Sequence, residues 1–64
     1  MKFHVPDMSC GHCTAAITRE ILALDPAAQV TPDLTARTVA VETRQTGSAV
    51  AKAIEAAGYS THPV

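Results

Sequence analysis

Hydrophobic and polar residues alternate along this chain in patterns that change every few residues. Phe3 and Val5 alternate with Lys2 and His4, the period of two expected of a half-buried strand. Pro6 ends that segment, and Asp7 to His12 reads as a loop. Cys13, Ile17, Ile21 and Leu24 then recur at helical spacings. At about 100° per residue they fall in one stripe roughly 80° wide, with Ala16 beside it, which predicts a helix with one buried face. Asp25-Pro26 stops this helix, because proline disfavours helical backbone in the residue before it.

Ala28 to Leu34 predicts a second strand, with Val30 and Leu34 facing inward. Pro32 marks it as an edge strand, where a missing N–H is harmless. Thr35-Ala36-Arg37 connects it to a third strand, in which Val39 and Val41 alternate with Thr38, Ala40 and Glu42. These two strands are expected to pair as a hairpin. Thr43 to Gly47 is polar, and Ser48 is placed as the cap of a second helix. The apolar stripe of that helix is Val50, Ala53, Ile54 and Ala57. Gly58 stands where a left-handed C-terminal cap belongs. Tyr59 to Val64 is expected to hold a short final strand.

Strand, helix, strand, strand, helix, strand is the ferredoxin-like βαββαβ order, built from two split βαβ halves. The expected architecture is an α+β sandwich forming one domain over residues 1–64. A four-stranded antiparallel sheet carries both helices on one face and leaves the other face open, with His4 and Thr38 pointing to the open side.

Composition narrows the function. The chain has 5 Lys and Arg against 6 Asp and Glu, a net charge of −1, which excludes the broad cationic surface that nucleic-acid binding requires. With no Trp, one Tyr and one Phe, it has no aromatic platform for stacking bases. No apolar run is long enough to cross a bilayer, so no stable membrane insertion is expected. Lys2 is followed at once by Phe-His-Val-Pro, without the hydrophobic stretch of a signal peptide. The expected compartment is therefore a reducing cytoplasm, where thiols stay free.

The two cysteines, Cys10 and Cys13, are separated by two residues. Closing so short a loop removes little chain entropy, so stapling is a poor explanation for them. Cys10 falls in the loop, and Cys13 is expected to open the helix. The unpaired N–H groups and positive end of a helix stabilise a thiolate, the form that binds metal or attacks sulfur. Gly11 lets the loop fold tightly enough for both sulfurs to converge. Soft thiolates suit Cu(I), which is content with two ligands, whereas structural zinc takes four. Cys10-Gly11-His12-Cys13 is also the tetrad of disulfide isomerases, which keeps open a small thiol–disulfide oxidoreductase. A zinc chaperone or metal buffer is the third alternative.

The segment Phe3-His4-Val5-Pro6-Asp7-Met8-Ser9-Cys10-Gly11-His12-Cys13 resembles the metal-binding segment of the heavy-metal-associated domain family. Ala53-Ile54-Glu55-Ala56-Ala57-Gly58-Tyr59 is similar to that family's second helix and following loop. The resemblance implies the ferredoxin-like fold and the role of a bacterial cytosolic copper chaperone, not an enzyme. It implies Cu(I) on Cys10 and Cys13, and delivery to the soluble metal-binding domains of a copper-transporting P-type ATPase. It also implies that Met8 packs inward to anchor the loop and that Tyr59 lies close to the metal. Two positions depart from the family pattern. Asp7 stands where a glycine is usual, and Ser9 stands where zinc-handling relatives carry an acidic residue.

Each neighbouring residue has a second reading. Met8 is a core residue or a thioether ligand. His12 is a solvated helix-start residue, a third ligand, or a charge switch near neutral pH. Ser9 belongs to the surroundings of the site. Tyr59 packs beside the loop or donates a hydrogen bond to a cysteine sulfur. His4 is an outward strand residue and His62 a solvated one in the tail, the alternative for the two being a second metal site. Arg19, Arg44 and Lys52 are scattered solvated charges or part of a docking surface, and any docking is expected to be weak and transient because a chaperone must release its partner. Exposed thiolates also allow a copper-bridged homodimer.

Overall fold

In the computed structural model, which describes residues 1–64, the elements run β1 (Lys2–His4), α1 (Gly11–Leu24), β2 (Gln29–Asp33), β3 (Thr38–Glu42), α2 (Gly47–Ala56) and β4 (His62–Pro63). The four strands form one antiparallel sheet in the order β2-β3-β1-β4. This is the ferredoxin-like arrangement: two βαβ halves interleave so that β1 and β3 lie at the centre.

The inner face carries Phe3 and Val5 from the first strand segment and Val39 and Val41 from β3, all buried. Against them pack Cys13, Ile17 and Ile21 of α1 and Val50 and Ile54 of α2, in one core that also takes in Met8 and Ala28. Both helices therefore cover the same face. Registers Asp33↔Thr38, Thr38↔His4 and His4↔His62 place those four residues in one row across the opposite, uncovered face.

Pro32 does lie in an edge strand, as its missing N–H required. Leu34, expected to face inward, is instead 43% exposed. The ladder ends one residue earlier, at Asp33, whose carboxylate accepts a hydrogen bond from the Ala36 backbone N–H (3.1 Å) and draws the chain into a turn. Arg37 closes that turn in left-handed backbone, with φ +56°.

The cap of α2 is Thr46, not Ser48. The Thr46 hydroxyl accepts from the Ala49 N–H at 3.1 Å, and Ser48 already lies inside the helix. Gly58, at φ +96°, takes the left-handed turn expected after α2. Asp25 ends α1 in extended backbone, and its carboxylate accepts from the Ala27 N–H (3.0 Å) and from the Thr43 hydroxyl. No helix is long and apolar enough to cross a membrane.

Candidate metal centre

The loop from Pro6 to Cys10 crosses from β1 to α1 and is tied down at three points. Met8 is its internal anchor: the side chain is fully buried in the core, and its N–H donates to the Val5 carbonyl at 3.0 Å. From the far end of the β2–β3 turn, the Arg37 guanidinium donates to the Pro6 carbonyl at 2.9 Å. The Val5 N–H in turn donates to the Arg37 carbonyl at 2.8 Å. Arg37 is 31 positions from Pro6, and nothing local in the sequence signals this contact.

Helix α1 begins at Gly11, two residues earlier than expected, so Cys13 lies within its first turn and Cys10 is the residue before it. The Cys10 carbonyl accepts from the N–H groups of Cys13 (3.1 Å) and Thr14 (3.3 Å), which starts the helical ladder. No side chain caps this end, and the first turn holds no acidic residue. The helix entrance is therefore left to the two sulfurs. They lie 3.0 Å apart, with Cys10 exposed and Cys13 buried, and both are free thiols.

Electrostatics favour losing a proton from this pair. The Cys13 thiol is lowered from the ordinary 9.0 to about 6. The largest cause is its hydrogen bond with Cys10, followed by the Tyr59 hydroxyl and the backbone N–H of Ser9, all favouring the thiolate over the opposing effect of burial. Backbone N–H groups at the helix entrance, those of Ser9 and Cys10, contribute to the lowering behind the partner sulfur and the Tyr59 hydroxyl. Tyr59 feels the reciprocal effect. Its phenol is raised above 10.0, first by its interaction with Cys13 and then by burial and by the charge on the two sulfurs.

The other candidates are placed differently. Ser9 and His12 are exposed, His12 on the second residue of α1. No group of three or more His, Cys, Asp or Glu side chains converges anywhere in the structure. The site brought together by the fold is thus Cys10 and Cys13, with Tyr59 against Cys13 and Met8 beneath the loop, while His12 stands apart.

The model of the heavy-metal-associated domain matches residues 2–60. The chain belongs to the heavy-metal-associated domain family. Solved structures share its fold almost throughout. The copper chaperone Atx1 from Synechocystis PCC6803, in its Cu2 form, is 27% identical with a TM-score of 0.94, covering 97% of this chain and 98% of that one. A gold binding protein is 39% identical with a TM-score of 0.90, covering 95% and 94%. Atu1203 of Agrobacterium tumefaciens is 42% identical with a TM-score of 0.87, covering 94% of each chain. No curated protein matches significantly. The cysteine pair of this heavy-metal-associated domain sits at the strand–helix junction.

Proposed function

We propose that this heavy-metal-associated domain is a Cu(I) metallochaperone acting in a reducing cytoplasm, carrying one ion between the thiolates of Cys10 and Cys13. The observation that carries this reading is the paired sulfurs, 3.0 Å apart, one exposed and one buried, with a thiol lowered to about 6. Two soft thiolates with no third convergent ligand suit a soft ion of low coordination number, whereas a structural zinc site takes four protein ligands. A gold binding protein among the structural neighbours fits the same preference for soft metals. A linear two-coordinate ion lies between its two sulfurs, which must then stand farther apart than the 3.0 Å seen here. Loading therefore separates the pair, and Cys10, outside the core and ahead of the helix, is the one free to swing.

Delivery is ligand exchange. A thiolate from an acceptor CxxC, such as that of a soluble domain of a copper P-type ATPase, adds to Cu(I) from the solvent side. The Cys10–copper bond then breaks, a second acceptor thiolate adds, and the Cys13 bond breaks last. The ion stays monovalent throughout, so no oxidant or reductant is consumed and no catalysis is needed. Met8 holds the loop from inside and is not a ligand, and Tyr59 steadies Cys13 through its hydroxyl.

Anaerobic Cu(I) titration against a strong competing chelator tests the reading. The wild type is expected to compete for one equivalent, and the Cys10→Ser/Cys13→Ser chain to lose that competition. Equal affinity in the two would overturn it. A small thiol–disulfide oxidoreductase would instead turn over insulin in metal-free buffer. A buffer would hold the ion but fail to pass it to a separate CxxC domain.

A further inference from the structure

His4 and His62 are 58 positions apart in sequence, yet the sheet makes them direct partners. In the β1–β4 ladder their Cα atoms are paired, next to Phe3↔Pro63. The Val64 N–H donates to the Lys2 carbonyl at 3.1 Å, which makes Lys2 and Val64 a hydrogen-bonded pair. Alternation along an antiparallel ladder makes His4 and His62, two residues on, the next such pair. Directly opposed residues have Cβ atoms about 5 Å apart and leave the sheet on the same side. That side is the open one, because the adjacent Phe3 is buried beneath the helices. His4 is half-buried and His62 exposed, so both rings are accessible.

We propose that His4 and His62 form a second metal site, on the uncovered sheet face, for a divalent ion of borderline softness. Imidazole nitrogen suits zinc, copper and nickel in the divalent state. Two nitrogens bound to one such ion at about 2.0–2.1 Å lie about 3.4 Å apart in a tetrahedral site. Rings carried on Cβ atoms about 5 Å apart converge to that separation by side-chain rotation alone. Water fills the remaining positions. Thr38, on the other side of His4 in the row, offers only a hydroxyl. Asp33, next along, has one carboxylate oxygen accepting from Ala36 and lies two strands away from His4, too far to join. The molecule then separates metals by donor type: sulfur at the loop for a soft ion, nitrogen on the sheet for a harder one.

Zn(II) is the probe, added to the Cys10→Ser/Cys13→Ser chain so that the loop sulfurs play no part and the result is independent of the Cu(I) reading. Titration followed by calorimetry and by NMR of the imidazole rings should show one ion per chain, with His4 and His62 resonances moving and His12 unmoved. His4→Gln and His62→Gln should each weaken Zn(II) binding about tenfold or more, since losing even a supporting group around a bound metal costs that much. His62 is exposed on the last strand, so the His62→Gln chain keeps its core and remains informative even if His4→Gln loosens the sheet. Zn(II) affinity unchanged by His62→Gln, resonance shifts centred on His12, or no saturable binding would each overturn the proposal.

Discussion

At the scale of single residues, the chemistry rests on how Cys13 is surrounded. Its thiol is lowered from 9.0 to about 6 in the folded chain, so between those values the folded protein holds fewer protons than the unfolded one. Stability of the reduced, metal-free protein therefore rises with pH across this window: the contribution is complete above about 9 and lost as pH falls through about 6. Urea midpoints measured from pH 5.5 to 9 should increase for the wild type and be flatter for Cys13→Ser. Tyr59→Phe removes the second-largest cause of the lowering, so the midpoint for Cys13 alkylation by iodoacetamide should move upward from about 6. An unmoved midpoint would leave Tyr59 a packing residue only. The two cysteines were legible in the sequence because their spacing and the glycine between them are local features. The role of Cys10 as the main partner of the Cys13 thiolate was not, since it depends on how the first turn of α1 is wound.

Elements were read well where burial has a period and less well where the chain turns. Cys13, Ile17 and Ile21 marked one face of α1, and Val39 and Val41 marked β3, because a buried face repeats at the helix or strand spacing. Thr46 and Ser48 are both competent caps two residues apart, and periodicity does not choose between them. Leu34 continues the alternation of β2, but Asp33 has already begun the turn. The most consequential feature of that turn is Arg37, which clamps the metal loop across 31 positions. Arg37→Ala and Arg37→Gly both delete the bond to Pro6, so both should speed hydrogen exchange at the Met8 N–H, which that loop protects. Only alanine keeps the cost of left-handed backbone, about 1–2 kcal/mol. The glycine chain should therefore be the more stable of the two by about 1 kcal/mol in urea denaturation. The reverse order would show that Arg37 is not strained there.

For the molecule as a whole, the limiting fact is how few side chains form the core. Only 11 of 64 residues are buried, and one cluster contains them all. A chain of about 60 residues buries only about 60% of its unfolded surface, so each core side chain carries a large share of the stability. Ile54, with 0% of its surface exposed, holds α2 against the rest. Ile54→Ala should cost about 2–5 kcal/mol, a large part of a typical domain's 5–15 kcal/mol. The expected result is a lowered midpoint in thermal and urea denaturation, and a drop below about 1 kcal/mol would mean that the core closes around the gap. The fold was legible in the sequence because its six elements follow in a single order with short connections. The four-strand row Asp33–Thr38–His4–His62 was not, because it exists only once β4 is placed beside β1.

Both outer strands of the sheet contain a proline, Pro32 in β2 and Pro63 in β4. Their ladder partners are Val39 and Phe3, which bond to each other's strands across the centre, so each proline occupies a position whose nitrogen points away from the sheet. The missing donors thus fall on the two free rims, where another chain would have to attach to extend the sheet into a fibril. A module that exposes one whole sheet face to solvent is in this way kept from polymerising. Pro32→Thr/Pro63→Thr should restore those donors, and concentrated samples of the doubly substituted chain should acquire thioflavin-positive fibrils that the parent does not.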